Sequence, residues 1–182
     1  TFGMYHFDAE VNAAHVISIS RKPNFALDLE GIRTAIEQHK PKVLFLASPN
    51  NPDGSVLPND ILADLLELPI IVVLDEAYID FAAPNISKVG EVVNYKNLAV
   101  LRTFSKWPGL AGLRVGYGVF PDWMMPHLWK IKQPYNVSVA GATAAMVSIE
   151  NVDQLEVRTN QIVSERERLY QSLKTIPWLA PY

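Results

Sequence analysis

The chain has 182 residues, of which 49% are apolar and 19% charged, a composition typical of a globular domain. Its formal net charge of −3 gives no basic surface for nucleic acid, and the absence of cysteine excludes disulfides and thiolate metal sites. No apolar stretch is long enough to span a membrane.

Both ends of the sequence look like interior protein sequence. The first residue is Thr1 rather than methionine, and the last residues, Ala180-Pro181-Tyr182, are apolar. We therefore expect the chain to be part of a longer protein.

Short apolar runs alternate with amphipathic segments along the chain. The predicted strands are residues 16–20, 43–47, 70–74, 98–104 and 115–120. The predicted helices are a short one near 7–13 and longer ones at 29–38 (capped by Asp28), 58–68, 121–132, 138–150 and 152–175, with one helical turn near 89–93. Continuous apolar strands such as 43–47 indicate a sheet covered on both faces. The alternation predicts a three-layer α/β/α fold with a mainly parallel sheet.

A single lysine, Lys106, follows the strand predicted at 98–104 and precedes a glycine-rich turn. Taking a lysine out of water disfavours its charged form, and a neutral amine can attack a carbonyl. The nearby hydroxyls, the backbone N–H groups of the turn and Arg114 would suit a phosphate. An aldehyde and a phosphate on one molecule describe pyridoxal phosphate. An ordinary surface turn is the alternative that this stretch alone leaves open.

Polar residues also follow two other predicted strands. Asp75 ends the run 70–74, so we expect it to be buried or nearly so and to need a cationic partner, either a pyridinium nitrogen or a salt bridge. Tyr78 and Asn51 lie close enough to donate hydrogen bonds to the same ligand, although Asn-Pro also makes turns and tyrosine also packs cores. Asn51, Asp75 and Lys106 each follow the carboxyl end of a strand, where parallel sheets bind ligands.

Other site motifs are missing from the sequence. It has no nucleotide-binding Gly-x-Gly-x-x-Gly, Walker loop or His-Glu-x-x-His, which makes a nicotinamide-binding Rossmann domain a weaker alternative. His6, His15, His39 and His127 are isolated, so we expect no metal site.

Three segments occur in one order: Ser-Pro-Asn-Asn-Pro-Asp-Gly at 48–54, Asp-Glu-Ala-Tyr-Ile-Asp-Phe at 75–81, and Thr-Phe-Ser-Lys through glycine at 103–116. They resemble the fold-type-I pyridoxal phosphate-dependent aminotransferases, and segments 1–5 and 132–138 extend the resemblance over essentially the whole chain. In detail the sequence is most similar to the plant and cyanobacterial type. Asp53 stands where the family most often has threonine.

The resemblance implies a role for each strand-end residue. Lys106 would hold pyridoxal phosphate covalently and move a proton between the alpha carbon of the substrate and the C4′ position of the cofactor. Asp75 would pair with the pyridine nitrogen, and Asn51 and Tyr78 would contact the ring oxygen.

The resemblance also implies contacts with the phosphate and the ring face of the cofactor. The resemblance implies that Thr103, Ser105 and Arg114 bind the cofactor phosphate, and that Phe2 stacks on the ring face. Residues 1–182 would then be most of a cofactor-binding large domain, with an N-terminal arm, an upstream phosphate loop and a small C-terminal domain outside the chain.

The implied activity is exchange of the amino group between L-histidinol phosphate and 2-oxoglutarate in histidine biosynthesis, by a homodimer in the cytoplasm or, in a plant, the plastid stroma. Aromatic aminotransferases and threonine-phosphate decarboxylases share the same strand-end residues, so these activities stay open. A non-catalytic fragment is the alternative from a different functional class.

Overall fold

A computed structural model describes residues 2–181, so the predicted domain limits Thr1 and Tyr182 lie outside the described residues. The helices and strands, in chain order, are α1 (Met4–Val11), α2 (Leu29–His39), β1 (Val43–Ala47), α3 (Asn59–Leu66), β2 (Ile71–Asp75), β3 (Leu98–Thr103), β4 (Gly116–Val119), α4 (Met125–Ile131), α5 (Val139–Glu150) and α6 (Val152–Lys174). Short 3-10 turns lie at Pro23–Phe25, Ile79–Phe81, Val89–Asn94, Ala111–Leu113 and Asp122–Met124.

The strands form one mixed sheet in the order β1-β2-β3-β4. β1 and β3 each pair with β2 in parallel, whereas β4 pairs with β3 antiparallel. The prediction of a mainly parallel sheet is therefore confirmed. Parallel pairing brings the carboxyl ends of β1, β2 and β3 to one edge.

Alternation along the strands divides the sheet into two faces. Leu44 and Leu46 of β1 lie on the face that packs on α2 and α3, together with the alternate residues of β2 and β3. Phe45 lies on the opposite face, where Tyr5 of α1 stacks on it. Helices thus lie on both faces, as the three-layer prediction requires.

The main core lies between the sheet and helices α2 and α3. Its buried side chains are Ile32, Ile36, Leu46, Leu57, Leu62, Leu65, Leu66, Ile70, Val72, Leu74, Val92, Leu98 and Val100. A smaller cluster joins the end of β3 to α5 through Phe104, Val115 and Ala145. Burial of these apolar groups is the main force that holds the sheet edge in place.

Two predicted helix starts are confirmed by their caps. The Asp28 side chain accepts a hydrogen bond from the Gly31 N–H at 3.2 Å, and Ser138 accepts one from Gly141 at 3.0 Å at the start of α5. Each side chain satisfies an N–H group that has no partner within the helix.

The strand predicted at 16–20 is wrong, because these residues are irregular and pair with no strand among residues 2–181. Ile17 and Ile19 line a cleft beside α2, and Ile19 is 37% exposed. The expectation that β1 is covered on both faces is also wrong, since Val43 and Phe45 are 41% and 42% exposed. β1 is the edge strand of the sheet, whereas β2 is central and its Val72, Val73 and Leu74 are buried.

Among the helices of residues 2–181, none has both the length and the apolar character required to cross a membrane.

Candidate active site

Three of the predicted site residues lie at the same edge of the sheet. Asn51, Asp75 and Lys106 follow the carboxyl ends of β1, β2 and β3, or end them. The chain stays paired at this edge, because Ser48 N–H donates to the Asp75 carbonyl and Glu76 N–H donates to the Leu101 carbonyl, both at 2.9 Å. The residues that follow each strand therefore start from fixed backbone positions.

Asn51, Tyr78 and Lys106 come together at this edge. Asn51 Nδ2 lies 3.5 Å from the Tyr78 hydroxyl oxygen, and Lys106 Nζ lies 5.1 Å from the centroid of the Tyr78 ring. Lys106 is exposed, contrary to the expectation of a desolvated lysine. The reason is that Lys106 lies three residues beyond Thr103, the last residue of β3, in a turn that reaches past the sheet into solvent. A primary amine thus lies over a phenol ring whose hydroxyl contacts an amide.

The turn that carries Asn51 is held by its own side chains. Asn50 is buried, its Nδ2 donates to Asp53, and its Oδ1 has no partner within the described part of the chain. Burial tends to raise the pKa of Asp53, but hydrogen bonds from Ser55 and Asn50 outweigh it and hold this pKa below its usual value. Asp53 therefore takes a structural part in the turn, where the resembling family most often has threonine.

Hydroxyl and guanidinium groups gather in the turn after β3. Arg114 Nη1 lies 3.4 Å from Ser105 Oγ and 2.8 Å from the Ala111 carbonyl oxygen. Thr103 Oγ1 accepts a hydrogen bond from the Ser105 N–H at 3.0 Å. The Arg114 guanidinium thus lies beside the neutral Ser105 hydroxyl, and both keep donors without a partner among residues 2–181, while the Thr103 hydroxyl is engaged inside the turn.

Two glycines allow this turn to close. Gly109 has φ +75°, a left-handed conformation that side chains rarely adopt, and its N–H donates to the Lys106 carbonyl at 3.1 Å. A Cβ at Gly116 would lie 2.9 Å from the Arg102 carbonyl oxygen, so β4 can approach β3 only with glycine there.

Asp75 is half-buried and pairs with a phenol. The Tyr5 hydroxyl donates a hydrogen bond to Asp75 Oδ2, and the Ala77 N–H donates one to Asp75 Oδ1 at 2.9 Å. Phe2, which is exposed, meets the Tyr5 ring edge-on with centroids 5.6 Å apart. Asp75 has no ion pair within residues 2–181, so the cationic partner predicted for it is not supplied by the described chain.

The buried carboxylate with a cationic partner is instead the next residue, Glu76, which is 1% exposed. Glu76 accepts hydrogen bonds from Ser87 Oγ and the Lys88 N–H, both at 2.6 Å, and pairs with Arg102 at 3.3 Å. Arg102 also pairs with Asp80 at 2.6 Å. Burial raises the pKa of Asp80, and the Arg102 charge opposes that rise.

This network fixes the segment that carries Tyr78. Arg102 reaches it from β3, and Arg166 reaches it from α6 by donating to the Phe81 carbonyl at 2.8 Å. No role was predicted from the sequence for Tyr5, Glu76 or Arg102. A signal was available for the last two: Glu76 follows another carboxylate at a strand end, and Arg102 is the charged residue of an apolar strand.

Two clefts lie away from these groups. One of about 390 Å³ is lined by residues 17 and 19 and by α2, and another of about 530 Å³ lies along α6. None of the predicted site residues lines either cleft.

The family model described as aminotransferase class I and II matches residues 1–181. The chain is 54% identical over its whole length to the chloroplastic histidinol-phosphate aminotransferase of Nicotiana tabacum, and it covers 44% of that relative. It therefore spans less than half the length of this relative.

Solved structures agree in fold. The histidinol-phosphate aminotransferase of Clostridium acetobutylicum superposes with a TM-score of 0.88 at 25% identity, over 99% of this chain and 56% of that one. The enzyme of the same name from Sinorhizobium meliloti, solved in complex with pyridoxal-5'-phosphate, gives 0.85 at 27% identity, over 96% and 48%. With a family model that matches nearly every residue and these relatives, the chain belongs to the aminotransferase class I and II family.

Proposed function

We propose that the protein containing this chain is a pyridoxal phosphate-dependent aminotransferase that exchanges the amino group between L-histidinol phosphate and 2-oxoglutarate, in histidine biosynthesis. The observation that carries the proposal is the Lys106 amine over the ring of Tyr78, whose hydroxyl contacts Asn51, at the carboxyl edge of the sheet. The names of the relatives support histidinol phosphate as one of the two substrates. Because the chain spans less than half of the tobacco relative, the activity is proposed for the full-length protein.

The functional groups at this edge of the sheet fit pyridoxal phosphate. Lys106 offers an amine for the aldehyde, and Asp75 offers a carboxylate for the pyridine nitrogen. Asn51 and Tyr78 offer hydrogen-bond donors for the ring oxygen, as the 3.5 Å approach of their polar atoms allows.

The phosphate would be held by the turn after β3. Arg114 and Ser105 supply a charge and donors 3.4 Å apart, and we propose Thr103 as a third contact. Phe2, whose ring contacts Tyr5, would cover one face of the cofactor ring. A single cationic guanidinium beside a hydroxyl is a common arrangement for an anionic oxygen.

When bound, the cofactor supplies an electron sink for the carbon from which the amino group leaves or to which it is added. Lys106 Nζ would take the proton from the alpha carbon of the amino donor and, in the second half of the reaction, would give a proton to the alpha carbon of the amino acceptor. Asp75 holds a positive charge on the ring nitrogen, and Asn51 and Tyr78 orient the ring. Arg114 fixes the far end of the cofactor, so that the reacting carbon stays within reach of Lys106.

The assembly and compartment are part of the same proposal. We propose a homodimer with small-molecule substrates, residues 1–182 forming most of the large domain. The tobacco relative is named as chloroplastic, which supports the plastid stroma for a plant source; the cytoplasm is proposed for a bacterial one.

The test uses the full-length protein with pyridoxal phosphate, reduced by borohydride and digested for mass spectrometry. The reduced cofactor should be found on Lys106, and Lys106→Ala should abolish both the adduct and the cofactor absorption band. Lys174→Ala on α6 is the matched control and should leave both intact. An unmodified Lys106 in the wild type would overturn the proposal and favour the non-catalytic alternative.

The substrate is tested separately on the loaded wild type. Amino transfer from L-histidinol phosphate should exceed transfer from phenylalanine by about 100-fold or more in kcat/KM. A site built to bind the phosphate of the substrate rejects an analogue that lacks this phosphate, because the polar groups meant for it stay unpaired. Equal rates would favour an aromatic aminotransferase, and release of carbon dioxide from threonine phosphate would favour a decarboxylase.

A further inference from the structure

The Asp75 carboxylate is held from two directions. Tyr5 of α1 donates to Oδ2, and the Ala77 N–H donates to Oδ1 at 2.9 Å. Tyr5 lies 70 residues before Asp75, so this contact depends on how α1 packs on the sheet. A carboxylate bonded at both oxygens cannot rotate freely about its side-chain bonds.

The Tyr5 ring is itself held by aromatic neighbours. It stacks on Phe45 with centroids 5.0 Å apart and planes 23° apart, and the Phe2 ring meets it at 81°. Phe45 lies in β1 opposite Val73 of β2, on the sheet face that also carries Asp75. The phenol hydroxyl is therefore aimed along this face toward the end of β2.

The Tyr5 hydroxyl stays a donor over the whole physiological range of pH. Burial raises the pKa of Tyr5, and so do the hydrogen bond to Asp75 and its negative charge. Since a neutral phenol keeps its proton, it can supply a hydrogen bond to the carboxylate without cancelling the carboxylate charge.

We propose that Tyr5 is a positioning residue, which fixes the direction of the Asp75 carboxylate toward the ring nitrogen of pyridoxal phosphate. The inference rests on the proposed function, because it takes Asp75 as the partner of that nitrogen. Asp75 has no ion pair of its own within residues 2–181, so its charge is available to a ligand. Tyr5 acts through Asp75, and its ring is already covered by Phe45 and Phe2.

The experiment measures the dissociation constant of pyridoxal phosphate for four full-length proteins: wild type, Tyr5→Phe, Asp75→Asn and the double variant. Tyr5→Phe keeps the stacked ring and removes only the hydroxyl. We expect it to weaken binding about tenfold, the usual scale for one hydrogen bond to a charged group. In the Asp75→Asn background the same change should have little further effect, because the two residues act as a unit.

Two measurements separate this role from packing. The thermal midpoint of the cofactor-free Tyr5→Phe protein should fall by no more than the few degrees expected for one lost hydrogen bond, and Tyr170→Phe on α6 should change neither the midpoint nor the dissociation constant. In the cofactor-free protein, the phenol absorbance gained up to about pH 11 should be the same with and without Tyr5, because a tyrosine of raised pKa stays protonated there.

The outcomes are distinct for the two proposals. If the wild type binds pyridoxal phosphate and Tyr5→Phe binds it equally, the inference about Tyr5 is wrong and the proposed function stands. Additive losses in the double variant would also overturn the inference, because Tyr5 would then act independently of Asp75. A wild type that binds no cofactor would overturn the proposed function, and this inference with it.

Discussion

Two carboxylates stand side by side at the end of β2, and their surroundings differ. Glu76 is 1% exposed and has three partners: the Ser87 hydroxyl, the Lys88 N–H and the Arg102 guanidinium. Asp75 is half-buried, and its partners are the uncharged Tyr5 hydroxyl and Ala77 N–H. Successive side chains of a strand point to opposite faces, so one residue step separates a structural carboxylate from one available to a ligand.

The same contrast divides two arginines. Arg102 is largely buried and bridges Glu76 and Asp80, whereas Arg114 is exposed and, among residues 2–181, contacts only neutral oxygens of its own turn. A charge whose partners are complete contributes to the fold, and a charge without an ionic partner can be used for binding. Substitutions of the two arginines should therefore act on different properties.

The largest expected effect is on stability, for Arg102→Met. The change leaves Glu76 as a buried charge without a cation, which should lower the free energy of unfolding of the full-length protein by about 3–5 kcal/mol. Denaturation in urea measures it. The control is Arg168→Met on α6, where an exposed pair with Glu165 should contribute less than about 1 kcal/mol.

A second variant sharpens this prediction. Adding Glu76→Gln to Arg102→Met should recover part of the lost stability, because an amide leaves no unpaired buried charge. Equal losses for Arg102→Met and Arg168→Met would contradict the distinction between the buried network and the exposed surface.

The next effect is on binding, for Arg114→Met. Since Arg114 is exposed, stability should change by less than about 0.5 kcal/mol. Binding of pyridoxal phosphate should weaken about 10- to 100-fold, the scale of a charge-assisted hydrogen bond to phosphate. Binding of pyridoxal, which lacks the phosphate, should be nearly unchanged. A fluorescence titration measures both ligands, and equal weakening for both would remove Arg114 from the phosphate site.

The smallest effect is electrostatic and lies away from the sheet edge, at the start of α2. The Gly31 N–H and Lys22 lower the pKa of Asp28 below its unperturbed value of 3.8. The ionised carboxylate therefore adds stability above about pH 4, and this contribution is lost as the pH falls through the lower folded-state value.

Asp28→Asn keeps a capping side chain but removes the charge. The wild type should exceed this variant by about 2 °C or less in thermal midpoint near neutral pH, and the difference should vanish in acid. A difference that stays constant down to about pH 2 would show that the Asp28 charge is not its cause.

Much of the fold follows from local patterns. The run at 43–47 and the apolar run before Asp75 are strands, and the caps Asp28 and Ser138 begin helices where predicted. Strand ends in a parallel sheet meet at one edge, so the placement of Asn51, Asp75 and Lys106 together was also predictable. These features depend on residues close to one another in sequence or on a general rule of topology.

Other features had no local signal. Residues 16–20 alternate like a strand but find no partner strand within residues 2–181, and Lys106 is exposed although it follows an apolar run. Whether a strand forms depends on a neighbour to pair with, and the exposure of a turn depends on what else packs there.

The sequence by itself therefore determined most of the element types, the order of the site motifs and the kind of groups at the sheet edge. Only the tertiary structure decided that Tyr5 meets Asp75 across 70 residues and that Arg102 meets Glu76 across 26. Periodicity and turn chemistry act over a few residues, whereas these partners are set by strand register and by the helix that packs on each face.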